Sequence, residues 1–281
     1  MRAEVAAIER LLKAARLKVK RSPVWERICE ENGVGRVIGR DIHFTADEKQ
    51  RLRAYVQSQY GIDPQYDSRV GGRMAMALQN ASEKLSSDSV FGQLIVFATA
   101  GNTTVRVNGE NFQTPRGSVC SVLPDHLDID DLQTRNLVII ENGGVMPFWA
   151  ELQLPGAWQD SVILYRGHRE NVRNVVEIVS KQPADKLAWF FDFDPAGLAL
   201  ALEQGKGSTL VPVKWRELSR YTPFNQPKVH HKQSVALKRL KGLAAGELRA
   251  IAEHMANEEL AVMQEHLTRR QMPLVALSIT R

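Results

Sequence analysis

Three acidic side chains stand out by where they fall in the chain. Glu141 closes the apolar run Leu137-Val138-Ile139-Ile140, and Asp192 and Asp194 close the run Leu187-Ala188-Trp189-Phe190-Phe191. Apolar runs of this length, without polar alternation, read as strands buried on both faces. The aspartates are spaced i, i+2, which on an extended chain puts both side chains on one face. Carboxylates gathered where buried strands end suit a hard divalent cation. Such an ion polarises a phosphate and activates water. Arg166 and His168, just past the run 161–165, with Arg169 beside them, would steady the developing negative charge. Asp194 also has a plainer reading, because it precedes Pro195 and can cap a helix that starts there. Gly197 leaves room for a close approach at that helix start.

The elements that must position these groups form an alternating series. Strands are expected at 137–140, 161–165, 186–193 and 209–213, with helices at 170–180 and 196–203. Apolar strands alternating with helices predict an α/β fold, a parallel sheet with helices on both faces joined by right-handed crossovers. Such sheets carry their sites at the C-terminal ends of the strands. A helical, winged-helix-like region is expected before the sheet. The spacing gives a helix over 5–15, a second from Pro23 (with Ser22 as cap) to Gly33, and a third that opens on the capping box Thr45 to Glu48 and runs to Tyr60. A helix over 73–85 and a small antiparallel β unit follow, with strands at 94–97, 105–107 and 118–123 and a hairpin turn at Asn108-Gly109. After Val213 come a basic segment and a helical tail over 244–269. The domains expected are 1–62, 63–132, 133–213 and 214–281.

At 281 residues, 43% hydrophobic and 25% charged, the chain has the composition of an ordinary globular protein. No apolar stretch approaches membrane-spanning length, no signal peptide is read at the start, and Cys29 and Cys120 lack zinc or disulfide-framework spacing. A reducing, cytoplasmic setting is therefore expected. The net charge of +5 is unevenly placed: residues 1–60 hold 13 Lys and Arg against 8 Asp and Glu, and residues 214–241 hold 8 against 1. Segregated positive charge suits a polyanion. Lys18, Lys20 and Arg21 in the first segment, and Lys228, His230 and Lys232 in the second, are the candidate phosphate contacts.

Glu141-Asn142-Gly143-Gly144 after one strand, and Phe191-Asp192-Phe193-Asp194-Pro195-Ala196-Gly197 after another, resemble the Glu and Asp-x-Asp motifs of a Toprim domain. The setting looks most like the branch that holds the topoisomerase VI A subunit and the JetD nucleases of Wadjet plasmid defence, with their MksG relatives. The clear match covers roughly residues 136–213, and the tail Met263-Gln264-Glu265-His266-Leu267 is loosely similar to the Gln-Glu-containing end of the JetD group. The resemblance implies that Asp192 and Asp194 are magnesium or manganese ligands. Glu141 would complete the metal site or act as general acid/base. It further implies a metal-dependent endodeoxyribonuclease acting on double-stranded DNA, within a defence or condensin-like SMC complex, nucleoid-associated and homodimeric. The topoisomerase branch uses a nucleophilic tyrosine, and of Tyr55, Tyr60 and Tyr66 none stands in a matching run, so hydrolysis by activated water is the expectation. A DNA-binding subunit without hydrolytic activity is the rival reading. A haloacid-dehalogenase-type phosphatase ranks below both, because its Asp-x-Asp belongs on the opening strand with Thr or Val where Ala196 stands here.

Overall fold

The computed structural model describes residues 2–60, 63–65, 93–167 and 171–279. His168, Arg169, Tyr66 and the helix expected over 73–85 lie outside the described residues. The chain divides into two compact units, Met1–Phe91 and Gly92–Arg281.

In the first unit, helices α1 (Arg2–Lys13), α2 (Pro23–Asn32) and α3 (Ala46–Tyr60) alternate with short strands β1 (Lys18–Lys20), β2 (Arg36–Ile38) and β3 (Asp41–His43). The capping residues act as expected. Ser22 Oγ accepts from Trp25 N at 3.4 Å, and Gly33 ends α2 in the left-handed region at φ 58°. Thr45 and Glu48 form a reciprocal capping box, with Glu48 N donating to Thr45 Oγ1 at 3.1 Å and Thr45 N to Glu48 Oε2 at 2.7 Å. Ile8, Leu11, Ile28, Ile42, Leu52 and Val56 make the core. β2 and β3, with β1, give an antiparallel sheet in the order β1-β3-β2. Tyr55 and Tyr60 meet edge to face, ring centroids 6.4 Å apart.

The second unit is mixed α/β. Its strands are β4 (Ile95–Thr99), β5 (Val105–Val107), β6 (Glu110–Phe112), β7 (Cys120–Val122), β8 (Asn136–Ile140), β9 (Ser161–Tyr165), β10 (Leu187–Phe190), β11 (Ser208–Pro212) and β12 (Leu274–Ser278). Helices α4 (Ile129–Gln133), α5 (Val172–Lys181), α6 (Pro195–Glu203), α7 (Pro227–His231), α8 (Ser234–Leu243), α9 (Gly246–Asn257) and α10 (Gln264–Arg269) complete it. Among the described residues one seven-stranded sheet runs β12-β11-β10-β8-β9-β4-β7. The four middle strands, β11, β10, β8 and β9, are mutually parallel, as the alternating pattern implies. Leu137, Val138, Ile139 and Ile140 of β8 are fully buried, which explains their lack of polar alternation.

Two expectations need correction. The strands expected as a separate antiparallel β unit are divided. β4 pairs antiparallel with β9 and carries β7 on its outer side, so both extend the main sheet. Ile95, Phe97 and Ala98 are all buried, and a strand with both faces apolar is satisfied inside a covered sheet rather than in a hairpin alone. Of the expected unit, β5 and β6 remain as an isolated pair, turned by Asn108 (φ 50°) and Gly109 (φ 84°) as the sequence predicts. The helical tail is likewise incomplete, because after α10 the chain returns as β12, antiparallel to β11. The short apolar run 274–278 carries no period of its own; pairing with β11 makes it a strand.

Candidate active site

The chain crosses from β8 to β9 in one direction along the sheet, then returns to β10 on the other side of β8 and moves on to β11 in the opposite direction. The change of direction falls between β8 and β10, and the C-terminal ends of strands at such a point are where α/β sheets bind their ligands. Ile140 of β8 is in register with Phe190 of β10 on one side and with Tyr165 of β9 on the other. The residues that follow these three positions therefore share one edge. Glu141 stands between Asp192 on the β10 side and Arg166 on the β9 side.

Each acid is held differently. Glu141 N donates to Phe190 O at 3.4 Å, and its carboxylate lies 3.8 Å from Arg166 Nη2. Burial raises the Glu141 pKa; Arg166 draws it down, Asp194 pushes it up, and a backbone hydrogen bond from Asp192 lowers it again. Asp192 is pushed up to about 7, first by burial and then by the charges of Asp194, Glu141 and Glu265, against the lowering effect of a hydrogen bond from Gln264 N. That bond is 2.7 Å long, to Oδ1.

Asp194 is the helix cap that its place before Pro195 suggests. It is 3% exposed; Oδ1 accepts from Gly197 N at 2.7 Å, and Oδ2 accepts from Gln233 Nε2 at 2.6 Å. Gln233, just past α7 in the basic segment, also accepts from Ala196 N at 3.0 Å, so a second side chain satisfies the start of α6. Gly197 is required here, because a Cβ on it would lie 2.3 Å from Asp192 O.

Arg166 reaches across the edge. Its guanidinium lies 5.7 Å from the centroid of the Phe191 ring, and its Nε has no hydrogen-bond partner among the described residues. Of the expected phosphate contacts, Lys18, Lys20 and Arg21 are exposed in the first unit, and Lys228 and Lys232 are exposed in the second. His230 is a correction. Its ring is buried, with Nδ1 3.0 Å from Leu260 O, so it serves the fold rather than a phosphate.

Sequence reading left two site residues without a role. Gln264 and Glu265 open α10, some seventy residues beyond Asp192, and arrive at the same edge through an antiparallel bridge between Val262 and Phe193, with N–H···O bonds of 2.8 and 3.0 Å. Gln264 is fully buried: Oε1 accepts from Asn142 N at 2.8 Å and Nε2 donates to Phe190 O. Exposed Glu265 accepts from Asn142 Nδ2 through Oε1. The only available signal was the Gln-Glu pair in the tail.

The model of a domain of unknown function, DUF7281, matches residues 92–276, more than half of the chain. The chain belongs to the DUF7281 family. No curated protein matches it. The DUF7281 span takes in Glu141, Arg166, Asp192 and Asp194 together with Gln264 and Glu265, so all the groups gathered at this edge fall within one family domain.

Among the described residues no group of three or more His, Cys, Asp and Glu side chains is drawn together closely enough to cage a metal ion. The donor chemistry of the DUF7281 edge nevertheless fits a hard divalent cation. Glu141 and Asp192 are half-buried carboxylates whose ionisation is opposed by desolvation and by neighbouring acids, and a bound cation would offset both penalties. Each Asp194 oxygen keeps a lone pair beyond its hydrogen bond.

Proposed function

We propose that this DUF7281 chain is a metal-dependent DNA nuclease that hydrolyses phosphodiester bonds at the edge formed by Glu141, Asp192 and Asp194, and that its sheet is of Toprim type. The observation that carries this reading is the meeting of three acids and Arg166 at the switch point between β8 and β10. Glu141, Asp192 and Asp194 are the residues that would hold magnesium or manganese, which would supply polarisation of the phosphate and an activated water. The chain's own groups do the remainder. Glu141, whose pKa burial raises above the usual carboxylate range, is the group placed to take up or give a proton. Arg166, beside Glu141, neutralises charge on the phosphoryl oxygens. Asp194 and Gln233 fix the start of α6 and so the position of Asp192.

The helix–strand–helix–hairpin–helix order of the first unit, with its surplus of Lys and Arg, supports a winged-helix-like role in holding duplex DNA. A condensin-like SMC complex, in plasmid or phage defence, is the setting that the motif resemblance suggests.

The test is incubation of the full chain with supercoiled plasmid and magnesium or manganese, quenched in detergent. Nicked or linear DNA free of attached protein is expected, lost in Glu141→Gln and Asp192→Asn and kept in Tyr55→Phe and Tyr60→Phe. Protein covalently joined to DNA would instead place the chain with the topoisomerases. The rival reading is a DNA-binding subunit without hydrolysis. Plasmid binding with no cleavage in either metal would establish that rival.

A further inference from the structure

A wholly buried glutamine side chain is costly unless both ends of its amide are paired. Gln264 is 0% exposed and pairs both, one on each of the two strand ends that carry the acids. Its Oε1 accepts from Asn142 N, the residue after Glu141, and its Nε2 donates to Phe190 O, two residues before Asp192. Its backbone N–H donates to Asp192 Oδ1 itself, and Thr268 Oγ1 donates to its carbonyl at 2.8 Å. One residue thereby touches the β8 loop, the end of β10 and one acid directly. Glutamate cannot replace it, because ionised it cannot donate to Phe190 O; methionine of similar length pairs neither end.

We infer that Gln264 is a positioning residue of the candidate active site, setting the separation of Glu141 and Asp192 from a segment more than seventy residues downstream. Asn142 is the second member of this clasp. It donates N–H to Gln264 and Nδ2–H to Glu265, while its Oδ1 accepts from Gly144 N at 2.8 Å, closing the turn after Glu141. The C-terminal segment is fastened on both sides, by the Val262–Phe193 bridge before it and by β12 after it, so Gln264 reaches the two strand ends from a segment held at both of its ends. Groups held from behind in this way govern how well first ligands bind and act, at about 10–100-fold per partner lost.

The inference rests on the nuclease reading for its effect on catalysis, but not for its effect on the loops. Hydrogen exchange read by mass spectrometry on the full chain, with Gln264→Met and Gln264→Glu beside the parent, tests the loops directly. Peptides covering 140–145 and 190–194 should exchange about tenfold faster in both variants, with the first unit unchanged. Manganese titrated by calorimetry should bind about 10–100-fold more weakly, and kcat for plasmid cleavage should fall by a similar factor with KM unchanged. A parent that neither binds manganese nor cleaves DNA would refute the nuclease reading and leave the exchange result to decide the clasp. Unchanged exchange at 140–145 in the folded variants would overturn the clasp, whatever the activity. If Gln264→Met fails to fold, Gln264→Glu decides, because it keeps the backbone bond to Asp192 and an acceptor for Asn142 N but loses the donor to Phe190 O; faster exchange at 190–194 is expected, and parent-like exchange there would overturn the clasp.

Discussion

Asp192 carries the clearest consequence at the scale of a single residue. Its pKa is pushed from an ordinary 3.8 to about 7 by burial and by three neighbouring acids. A carboxyl whose folded pKa lies above its unfolded one stabilises the fold fully below the unfolded value, and that contribution is lost as pH rises through the folded value. The window is therefore pH 3.8 to about 7, and above it the metal-free protein carries an unwelcome charge. Each tenfold change in proton affinity is worth about 1.4 kcal/mol, and the partial exposure of Asp192 reduces the sum to roughly 2 kcal/mol. Asp192→Asn keeps the acceptor for Gln264 N and removes the charge. In metal-free buffer at pH 8 it should unfold at higher denaturant concentration than the parent, and at pH 4 the two should coincide. Equal stability at both pH values would show that Asp192 is not charged against the fold. Manganese should narrow the difference at pH 8 by stabilising the parent alone.

Among the elements, the start of α6 is the most constrained. Its free N–H groups are met by Asp194 and Gln233, and its third residue presses against the carbonyl of Asp192. Gly197→Ala puts a methyl group where 2.3 Å is available, so either the helix or the Asp192 peptide must move. A loss of about 2–4 kcal/mol in chemical denaturation is expected, in the range of overpacked sites. Gly109→Ala is the control, because its Cβ meets nothing within 4 Å; only its left-handed φ of 84° is strained, and a loss of about 1 kcal/mol is expected. Similar losses at both positions would mean that the α6 start has slack.

Over the whole molecule, charge is segregated, and the first unit gives its share a surface. The register of β1-β3-β2 aligns Lys18, His43 and Arg36 across one face of the small sheet, and Lys20, Asp41 and Ile38 across the same face two residues on. Asp41 lies 3.4 Å from Lys18, and Arg36 and Arg40 are exposed beside it. If this face holds DNA, affinity measured by fluorescence anisotropy should fall steeply with salt. Each phosphate contact adds about −0.9 to the log–log slope. Charge reversal at Lys18, Lys20 and Arg36 should flatten that slope by about 3 in total. An unchanged slope would return the face to ordinary solvated surface.

The sequence by itself determined what depends on neighbours along the chain. Ser22 with Pro23, the Thr45–Glu48 box and Asn108-Gly109 are local chemistry, and each forms where its spacing predicts. Buried strands ending in Glu141 and Asp192 were likewise legible, because a strand covered on both faces must be apolar throughout. Tertiary structure alone decided which strand ends are neighbours. Only the order β10-β8-β9 puts Glu141 between Asp192 and Arg166, and no period along the chain encodes that order. It also decided the fate of polar residues distant in sequence. Gln233 and Gln264 look like surface residues of basic or helical stretches, yet one caps α6 and the other is buried at the site. His230 looks like a phosphate contact and is core. A buried polar group is specified by the partner that satisfies it, and these partners lie thirty to more than a hundred residues away, beyond the reach of any pattern read along the sequence.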